Sequence, residues 1–261
     1  MRRLATGLMA AAALAMLATG VHAQDKRKVK IGTEGAYPPF NSIDAEGKLV
    51  GFDVDIAKAL CEAANFECEF VVQDWDGIIP GLIAKKYDAI VASMSITPQR
   101  MEVVDFTDKY YQTPAKFAAA KGSDFDISPE GLAGKAVGVQ RATVSENFLR
   151  AEFPEAEVRA YATQDEANAD LVSGRLDLVM ADAVVLSEGF LETEAGQDFE
   201  FVGPGFSDPK YFGEGIGIAV RKGEDDLREA FNEAIAQIRA DGTYQAINEK
   251  YFDFDVYGPT T

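Results

Sequence analysis

Residues 66–93, FECEFVVQDWDGIIPGLIAKKYDAIVAS, decide the fold class of this chain of 261 residues. Residues 66–72 predict a strand, and residues 77–86 predict a helix with Pro80 in its first turn. Residues 88–93 predict a second strand that is short and buried. A succession of strand, helix and strand is typical of the βαβ units of a mainly parallel sheet. We therefore predict an α/β protein.

The same alternation continues on both sides of this stretch. Residues 28–32 predict a strand, and residues 52–64 predict a helix with its apolar side chains on one face. Thr97 and Pro98 mark the start of another helix, because a hydroxyl N-cap precedes a proline at the first helical position. These elements form a first α/β set before about residue 112.

A second α/β set follows residue 112. Its predicted strands lie at residues 136–140, 158–161, 176–181 and 215–220, and its predicted helices at residues 145–152, 163–174, 183–191, 225–240 and 244–251. Two sets without a disordered linker predict two lobes, and residues 116–120 and 213–219 are candidate strands that carry the chain between them. A ligand would then lie in the crevice at the carboxyl ends of the strands.

Residues 1–23 have the features of an export signal. Arg2 and Arg3 precede an apolar run over residues 4–17, and residues 21–23 (VHA) supply the small side chains that signal peptidase requires. The apolar run is shorter than the ~20 residues of a membrane span. We expect cleavage after Ala23 and a free protein in the periplasm.

The remaining composition excludes several classes of function. The single histidine, His22, leaves with the signal, so Ser-His-Asp triads, histidine-dependent acid–base chemistry and His-ligated metal sites are excluded. The net charge is −18 over the full sequence and becomes more negative once Arg2 and Arg3 are removed. Such a surface repels nucleic acid and anionic lipid. We expect no metal, no cofactor and no nucleic-acid partner.

Cys61 and Cys68 are the only two cysteines of the sequence. In an oxidising compartment we expect this closely spaced pair to form a disulfide, whereas in the cytosol it would be two buried thiols. The pair does not suit zinc, which would need two further ligands. We predict a structural disulfide.

Several motifs taken together resemble one known family. They are residues 51–57 (GFDVDIA), 75–82 (WDGIIPGL), 88–90 (DAI), 93–100 (SMSITPQR), 105–107 (DFT), 240–244 (ADGTY) and 250–258 (KYFDFDVYG). In this order they are similar to the periplasmic substrate-binding proteins of amino-acid ABC importers. The C-terminal motifs and the cysteine pair are most like the branch that binds lysine, arginine, ornithine and histidine.

The resemblance implies the two-lobed, type II periplasmic binding protein fold. Each lobe would be a mainly parallel sheet flanked by helices, and two crossover strands would join the lobes. We expect residues 24–113 and 213–261 to form lobe 1 and residues 114–212 to form lobe 2. The implied function is capture of a cationic L-amino acid without catalysis, and its delivery by a monomer to the permease of an ABC transporter in the inner membrane.

Arg100 is the first candidate binding residue. With Thr97 as N-cap, Arg100 is the third residue of its helix, where N–H groups, the helix dipole and a guanidinium could all face one anion. The alternative is a solvated surface arginine. In the family, the matching arginine holds the α-carboxylate of the ligand.

The resemblance assigns the α-ammonium group of the ligand to three residues. They are Ser93 through its main chain, Ser95 through its hydroxyl, and Asp182 from the second lobe. Alternatively, the serines form turns or caps, and Asp182 is the N-cap of the next helix, which is compatible with ligand binding. Arg100 and Asp182, placed on opposite lobes, would couple recognition of a zwitterion to closure.

Glu34, Tyr37 and Trp75 match the positions at which the family's basic-amino-acid binders contact the ligand side chain. A carboxylate and two aromatic faces favour a flat or extended cation, by ~1–2 kcal/mol for each desolvated cation–π contact. The alternatives are a turn-forming glutamate and two aromatic core residues. Gln140 and Thr143 match the turn of lobe 2 that meets the ligand, although Thr143 could simply cap a helix.

Three positions depart from the pattern of that branch. Ala92 stands in place of a serine, Ser145 in place of a glutamine, and Glu34 is one methylene longer than the usual aspartate. We favour arginine because Gln140 and Glu34 can both accept hydrogen bonds from a guanidinium, and lysine, ornithine and histidine stay open.

Two competing hypotheses are opine binding and a dehydratase-like enzyme on the same scaffold. Opines carry a bulky group on the α-nitrogen, so the presence of Ser95 and Asp182 argues against them. An enzyme would need a further group for proton transfer, and the sequence offers none beside the zwitterion-binding set.

Overall fold

The computed structural model describes residues 26–258. The predicted export signal, residues 1–23, and its cleavage after Ala23 lie outside the described residues. The described chain forms two lobes, each built on a five-stranded sheet with helices against it, and a small three-stranded sheet.

The secondary structure alternates along the chain. The strands are β1 (Arg27–Thr33), β2 (Ala36–Tyr37), β3 (Asn41–Ile43), β4 (Leu49–Val50), β5 (Phe66–Val72), β6 (Ala89–Ile90), β7 (Val104–Tyr111), β8 (Ala115–Ala120), β9 (Ala136–Gln140), β10 (Glu157–Tyr161), β11 (Leu178–Asp182), β12 (Phe199–Phe206) and β13 (Ile216–Arg221). The α-helices are α1 (Phe52–Ala63), α2 (Ile78–Ile83), α3 (Pro98–Met101), α4 (Val144–Glu152), α5 (Gln164–Val172), α6 (Ala183–Leu186), α7 (Pro209–Phe212), α8 (Asp225–Ala240) and α9 (Thr243–Tyr251).

The first sheet has the strand order β5-β1-β6-β13-β7. Strand β1 pairs in parallel with β5 and β6, whereas β13 runs antiparallel to both β6 and β7. In this sheet, all strands except β13 therefore run in the same direction. The reversed strand is the one that brings the chain back from the other lobe.

The second sheet repeats this plan, with the order β10-β9-β11-β8-β12. Strand β9 pairs in parallel with β10 and β11, and β8 runs antiparallel to β11 and β12. Here the reversed strand is β8, the first one after the chain leaves the first sheet. The predicted fold, two lobes with mainly parallel sheets and two crossings between them, is confirmed.

Two short segments carry the chain between the sheets, residues 112–114 and residues 207–215. Gly213 in the second segment has a φ of 72°, and a Cβ at this position would collide with the carbonyl oxygen of Ile96. Only glycine fits such a backbone without strain. The exact lobe boundaries, after residue 113 and after residue 212, stay predictions.

An aromatic cluster fills the core of the first lobe beside the crossing. Phe40 stacks on Tyr111 with the ring centroids 4.5 Å apart, and Phe52 meets Tyr111 edge-on at 5.8 Å. Val184 and Val185, from α6 of the second lobe, pack into the same core. Burying an aliphatic side chain contributes about 1.5–3 kcal/mol, so this apolar contact stabilises the arrangement in which the lobes touch.

Some predicted elements differ from the structure where the backbone turns sharply. The strand predicted at residues 88–93 is limited to Ala89–Ile90, because the chain leaves the sheet before Ser93, whose φ is 51°. The helix predicted at residues 183–191 divides into α6 and a π-helical turn, Ser187–Leu191. Strands β2 to β4 have two or three residues each, which is too short for a periodic signal.

The predicted disulfide is confirmed. Cys61 near the end of α1 is bonded to Cys68 in β5, and their Cα atoms lie 6.2 Å apart. Within residues 26–258, no helix is both long enough and apolar enough to cross a membrane.

Candidate ligand-binding cleft

A cavity lies between the two lobes at the carboxyl ends of strands from both sheets. Its empty volume, measured out to its open mouth, is about 780 Å³. It is lined by all the binding residues predicted from the sequence, namely Glu34, Tyr37, Trp75, Ser93, Ser95, Arg100, Gln140, Thr143 and Asp182. We call this cavity the cleft. The fold brings these residues together, and their contacts with a ligand stay predictions.

Arg100 enters the cleft from α3. Thr97 caps this helix as the sequence predicts, and its hydroxyl accepts a hydrogen bond from the Arg100 N–H at 3.3 Å. The guanidinium donates from Nη1 to the carbonyl oxygen of Ser95 at 3.0 Å and lies over the Trp75 ring, 5.2 Å from its centroid. Because α3 has only four residues, its dipole contributes little, and these side contacts orient the guanidinium.

The charge of Arg100 is not neutralised by the described part of the chain. Among residues 26–258, its guanidinium forms no ion pair with a carboxylate. Burial lowers its pKa to about 10, so the group is still protonated at neutral pH. A half-buried cation without a counter-ion carries a desolvation cost, and an anion in the cleft would relieve that cost.

Asp182 enters the cleft at the end of β11. It is the N-cap of α6, and its Oδ1 accepts hydrogen bonds from the N–H groups of Val184 at 2.8 Å and Val185 at 3.3 Å. The Thr113 hydroxyl donates to Oδ2. Burial raises the pKa of Asp182 to about 6, although these donors act in the opposite direction. Asp182 thus both caps α6 and lines the cleft.

Ser93 and Ser95 lie where the first sheet meets α3. The Ser93 hydroxyl donates to Oδ2 of Asp53 at 3.0 Å. Ser95 is buried and forms an isolated antiparallel bridge with Ile216. The side chain of Ser93 is therefore engaged, and its main chain is the part that is available to a ligand.

Glu34 directly follows β1 and is only 6% exposed. Its Oε1 accepts a hydrogen bond from Nε2 of Gln140, in the other lobe, at 2.5 Å. Burial raises the pKa of Glu34 to about 7; Gln140 opposes this shift, whereas the charges of Asp74, Asp165 and Asp76 add to it. An acidic group held in acidic surroundings favours a cation beside it.

Tyr37 lies between the charged groups of the cleft. Burial raises the pKa of its phenol, the charges of Asp182 and Glu34 raise it further, and the charge of Arg100 lowers it. Trp75 is 8% exposed, and its Nε1 donates to the carbonyl oxygen of Ala142 across the cleft at 3.2 Å. Both aromatic residues line the cavity rather than lying only in a core.

Thr143 is the N-cap of α4. Its hydroxyl accepts from the N–H of Glu146 at 3.3 Å and donates to the carbonyl oxygen of Gln140 at 2.7 Å. The capping alternative is therefore correct for this hydroxyl, and the residue lines the cleft as well.

Two residues that matter here were not among the predicted ones. Asp53 is fully buried and accepts hydrogen bonds from Ser93, from Nδ2 of Asn41 at 3.0 Å and from the Tyr110 hydroxyl at 2.7 Å. Burial raises its pKa. Gln164 is 1% exposed and lines the cleft. The motif GFDVDIA contains Asp53, but only the fold reveals that this carboxylate positions Ser93.

The cleft contains one guanidinium, from Arg100, and two carboxyl groups, from Glu34 and Asp182. The described residues form no ion pair with any of the three. Within residues 26–258 there is also no group of three or more acidic, histidine or cysteine side chains that could hold a metal ion. The charges of the cleft are therefore available to an organic ligand of complementary charge.

Two lobes, two crossings and a charged cleft between them define a two-lobed periplasmic binding protein. Comparisons with known proteins agree. The family described as "Bacterial extracellular solute-binding proteins, family 3" matches residues 29–254. The chain belongs to this family.

Individual relatives carry names that specify amino acids. The chain is 50% identical to the L-arginine-binding protein of Pseudomonas aeruginosa, over 99% of each chain. It is 45% identical to the histidine-binding periplasmic protein of Salmonella typhimurium, over 99% of this chain and 100% of the relative. A solved structure of a Salmonella typhimurium periplasmic binding protein, described for its high arginine specificity, is 35% identical with a TM-score of 0.81, and the match covers 87% of this chain and 99% of that chain.

Proposed function

We propose that this protein captures a cationic L-amino acid, preferably arginine, by closing its two lobes. The observation that carries the proposal is the set of unpaired charges in the cleft, one guanidinium and two carboxyl groups. A cationic amino acid has the complementary set, one carboxylate and two cations. A neutral amino acid would leave the buried carboxyl group of Glu34 unmatched.

Each part of such a ligand has a matching group. Arg100 faces the α-carboxylate through its planar fork, which suits two parallel hydrogen bonds. Asp182 with Ser95 and the Ser93 main chain accepts the α-ammonium. Because Arg100 and Asp182 belong to different lobes, a zwitterion that binds both favours the closed arrangement.

The side chain of the ligand would extend towards Glu34. This carboxyl group and the side-chain oxygen of Gln140 can both accept from a guanidinium, which has five N–H donors. Trp75 and Tyr37 supply aromatic faces for a planar cation. The names of the arginine-binding relatives support the choice of arginine, and that of the histidine-binding relative keeps histidine, lysine and ornithine as secondary ligands.

Delivery to the permease of an ABC transporter in the inner membrane completes the proposal. It is supported by the family and by the relatives that are named as periplasmic proteins. The protein would be exported, cleaved after Ala23 and monomeric, and it would not catalyse a reaction, since its relatives are named as binding proteins.

Two other functions on the same scaffold are weaker. An opine needs space at the α-nitrogen, where Ser95 is buried and Asp182 is held by Thr113 and two N–H groups. A dehydratase-like enzyme needs a group for proton transfer beyond those that bind the zwitterion.

Calorimetric titration of the unliganded protein tests the proposal. The panel contains the standard amino acids, ornithine and octopine, and prephenate is assayed for turnover. We expect heat of binding for arginine, weaker binding of lysine, ornithine and histidine, and no product. A preference for a neutral amino acid or for octopine would contradict the proposal, and product formation would contradict the binding-only part.

A further inference from the structure

The turn of residues 140–143, between β9 and α4, contacts the opposite lobe at three points. Gln140 meets Glu34 inside the cleft. The carbonyl oxygen of Ala142 accepts from Nε1 of Trp75 at 3.2 Å. Between them, Nε of Arg141 lies 3.0 Å from Oδ2 of Asp76.

Arg141 and Asp76, which we call the rim pair, differ from the other two contacts. Their side chains are 46% and 47% exposed, and neither residue lines the cleft. They have no contact with the space that a ligand would fill. The pair nevertheless joins a residue of lobe 1 to one of lobe 2, so it can form only while the lobes are closed.

The backbone on both sides of the rim pair is well ordered by hydrogen bonds. The N–H of Arg141 donates to the Tyr161 carbonyl oxygen at 2.9 Å, and the N–H of Ala142 donates to Oε2 of Glu146 at 2.7 Å. Asp76 lies in the 3-10 turn Trp75–Gly77. Exposed ion pairs are weak in part because two mobile side chains must be ordered. Here the backbone on both sides is already fixed, so the entropic cost is limited to the two side chains.

We propose that Asp76 and Arg141 act as a latch outside the cleft, which slows release of the ligand by stabilising the closed lobes. The inference rests on the proposed function only in that a ligand is released when the lobes open. Separation of the lobes breaks the ion pair before the ligand leaves, so its free energy adds to the barrier for release. Capture by the open form precedes formation of the pair, and its rate is therefore unaffected. Both are positioning residues, since neither touches the ligand.

A double-mutant cycle on release kinetics tests the latch. The rate at which radiolabelled arginine dissociates into excess unlabelled arginine is measured for the wild type, Asp76→Asn, Arg141→Gln and the double variant. We expect about two- to fivefold faster release in each single variant, the range set by exposed ion pairs. The double variant should be no faster than the singles, and association rates should be unchanged. Asp76 also adds negative charge near Glu34, so Asp76→Asn alone could change release through Glu34. The double-mutant cycle separates that effect from the loss of the ion pair.

A matched control and a salt titration separate the latch from general surface effects. Arg159→Gln removes a similarly exposed ion pair, with Glu157 at 2.9 Å, that lies within lobe 2, and it should release arginine at the wild-type rate. At about 1 M salt, where the Debye length is about 3 Å, the differences between variants should disappear.

Failure of the latch and failure of the proposed function give different results. If arginine binds but all variants release it at the wild-type rate, or if the single effects simply add in the double variant, the latch is overturned and the proposed function stands. If the wild type binds no cationic amino acid, the proposed function fails. In that case small-angle scattering of the unliganded proteins decides the latch: a larger radius of gyration in the double variant than in Arg159→Gln supports it, and equal radii overturn it.

Discussion

Glu34 and Gln140 meet across the two lobes, with Nε2 of Gln140 donating to Oε1 of Glu34 at 2.5 Å. Both side chains are nearly inaccessible, 6% and 2% exposed respectively. The carboxyl group is thus buried in a closed cleft with an amide as partner and acidic residues around it. The proposed selectivity for a cationic side chain rests on this arrangement.

Glu34→Gln should reduce that selectivity. The variant keeps the shape of the side chain but cannot carry the negative charge that attracts a guanidinium or ammonium. We expect the affinity for arginine and lysine to fall about 10- to 100-fold, the value of a hydrogen bond to a charged group, with little change for glutamine. Titration calorimetry with the three ligands measures this.

The exposed Glu46→Gln variant serves as the matched control and should leave all three affinities unchanged. Equal losses for arginine, lysine and glutamine in Glu34→Gln would mean that Glu34 is structural and that the assignment of a cationic ligand is wrong.

The affinity for arginine relative to glutamine should decrease as the pH is lowered from 8 to 6. The pKa of Glu34 in the closed cleft is about 7, raised from 4.5 mainly by burial. Protonation therefore stabilises the empty closed form below pH 7, and this contribution is lost as the pH rises through 7. A bound cation requires the ionised carboxylate, so it competes with this proton.

We expect the ratio of arginine to glutamine affinity to be about tenfold lower at pH 6 than at pH 8, one pH unit below the pKa. Asp182, whose pKa is about 6, also becomes protonated in this range. Its effect cancels in the ratio, because both ligands carry the α-ammonium. The ratio in Glu34→Gln should not depend on pH. A wild-type ratio that stays constant from pH 6 to 8 would contradict the role of Glu34.

Arg100→Ala should abolish most binding of any amino acid. The substitution removes the cation that faces the α-carboxylate and leaves that group buried without a partner. We expect a cost of ~3–5 kcal/mol, or about two to four orders of magnitude in Kd. Arg100→Lys keeps the charge without the planar fork and should give an intermediate loss. Calorimetry showing unchanged affinity in Arg100→Ala would mean that the ligand binds elsewhere.

Tyr110→Phe should destabilise the first lobe. The Tyr110 hydroxyl donates to the buried Asp53 at 2.7 Å, and removing this donor leaves a buried carboxyl oxygen unsatisfied, which lowers the free energy of unfolding by about 1–3 kcal/mol. Tyr161→Phe removes a bond of the same length to Asp170 at a more exposed site, so it should cost less than about 1 kcal/mol. Urea unfolding compares the two, and equal losses would show that the Asp53 network contributes little.

Local signals were sufficient for much of the fold. The N-cap Thr97 before Pro98 appears as predicted, and the helix predicted at residues 163–174 begins with a capping box of Thr163 and Glu166. These features depend on residues within one helical turn, which a single sequence displays directly. Strands β2 to β4 and the π-helical turn after α6 have no such local pattern, because contacts with distant parts of the chain determine them.

The candidate site divides in the same way. Most of the predicted residues line one cleft because they lie at or just after the end of a strand or near the start of a helix, and the resemblance to a family identifies these positions. The anchoring of Ser93 by Asp53 and the burial of Gln164 in the cleft depend on the packing of several elements at once, and neither has a local signature.

The amino-acid sequence by itself determined the α/β class, the acidic charge, the absence of histidine after residue 22 and the pairing of the two cysteines. These properties follow from composition and from patterns of a few residues. Only the tertiary structure decided which side chains meet across the lobes: Glu34 with Gln140, and Asp76 with Arg141. The physical reason is that such contacts are set by the relative placement of two sheets, which is a sum of many weak packing interactions along the whole chain.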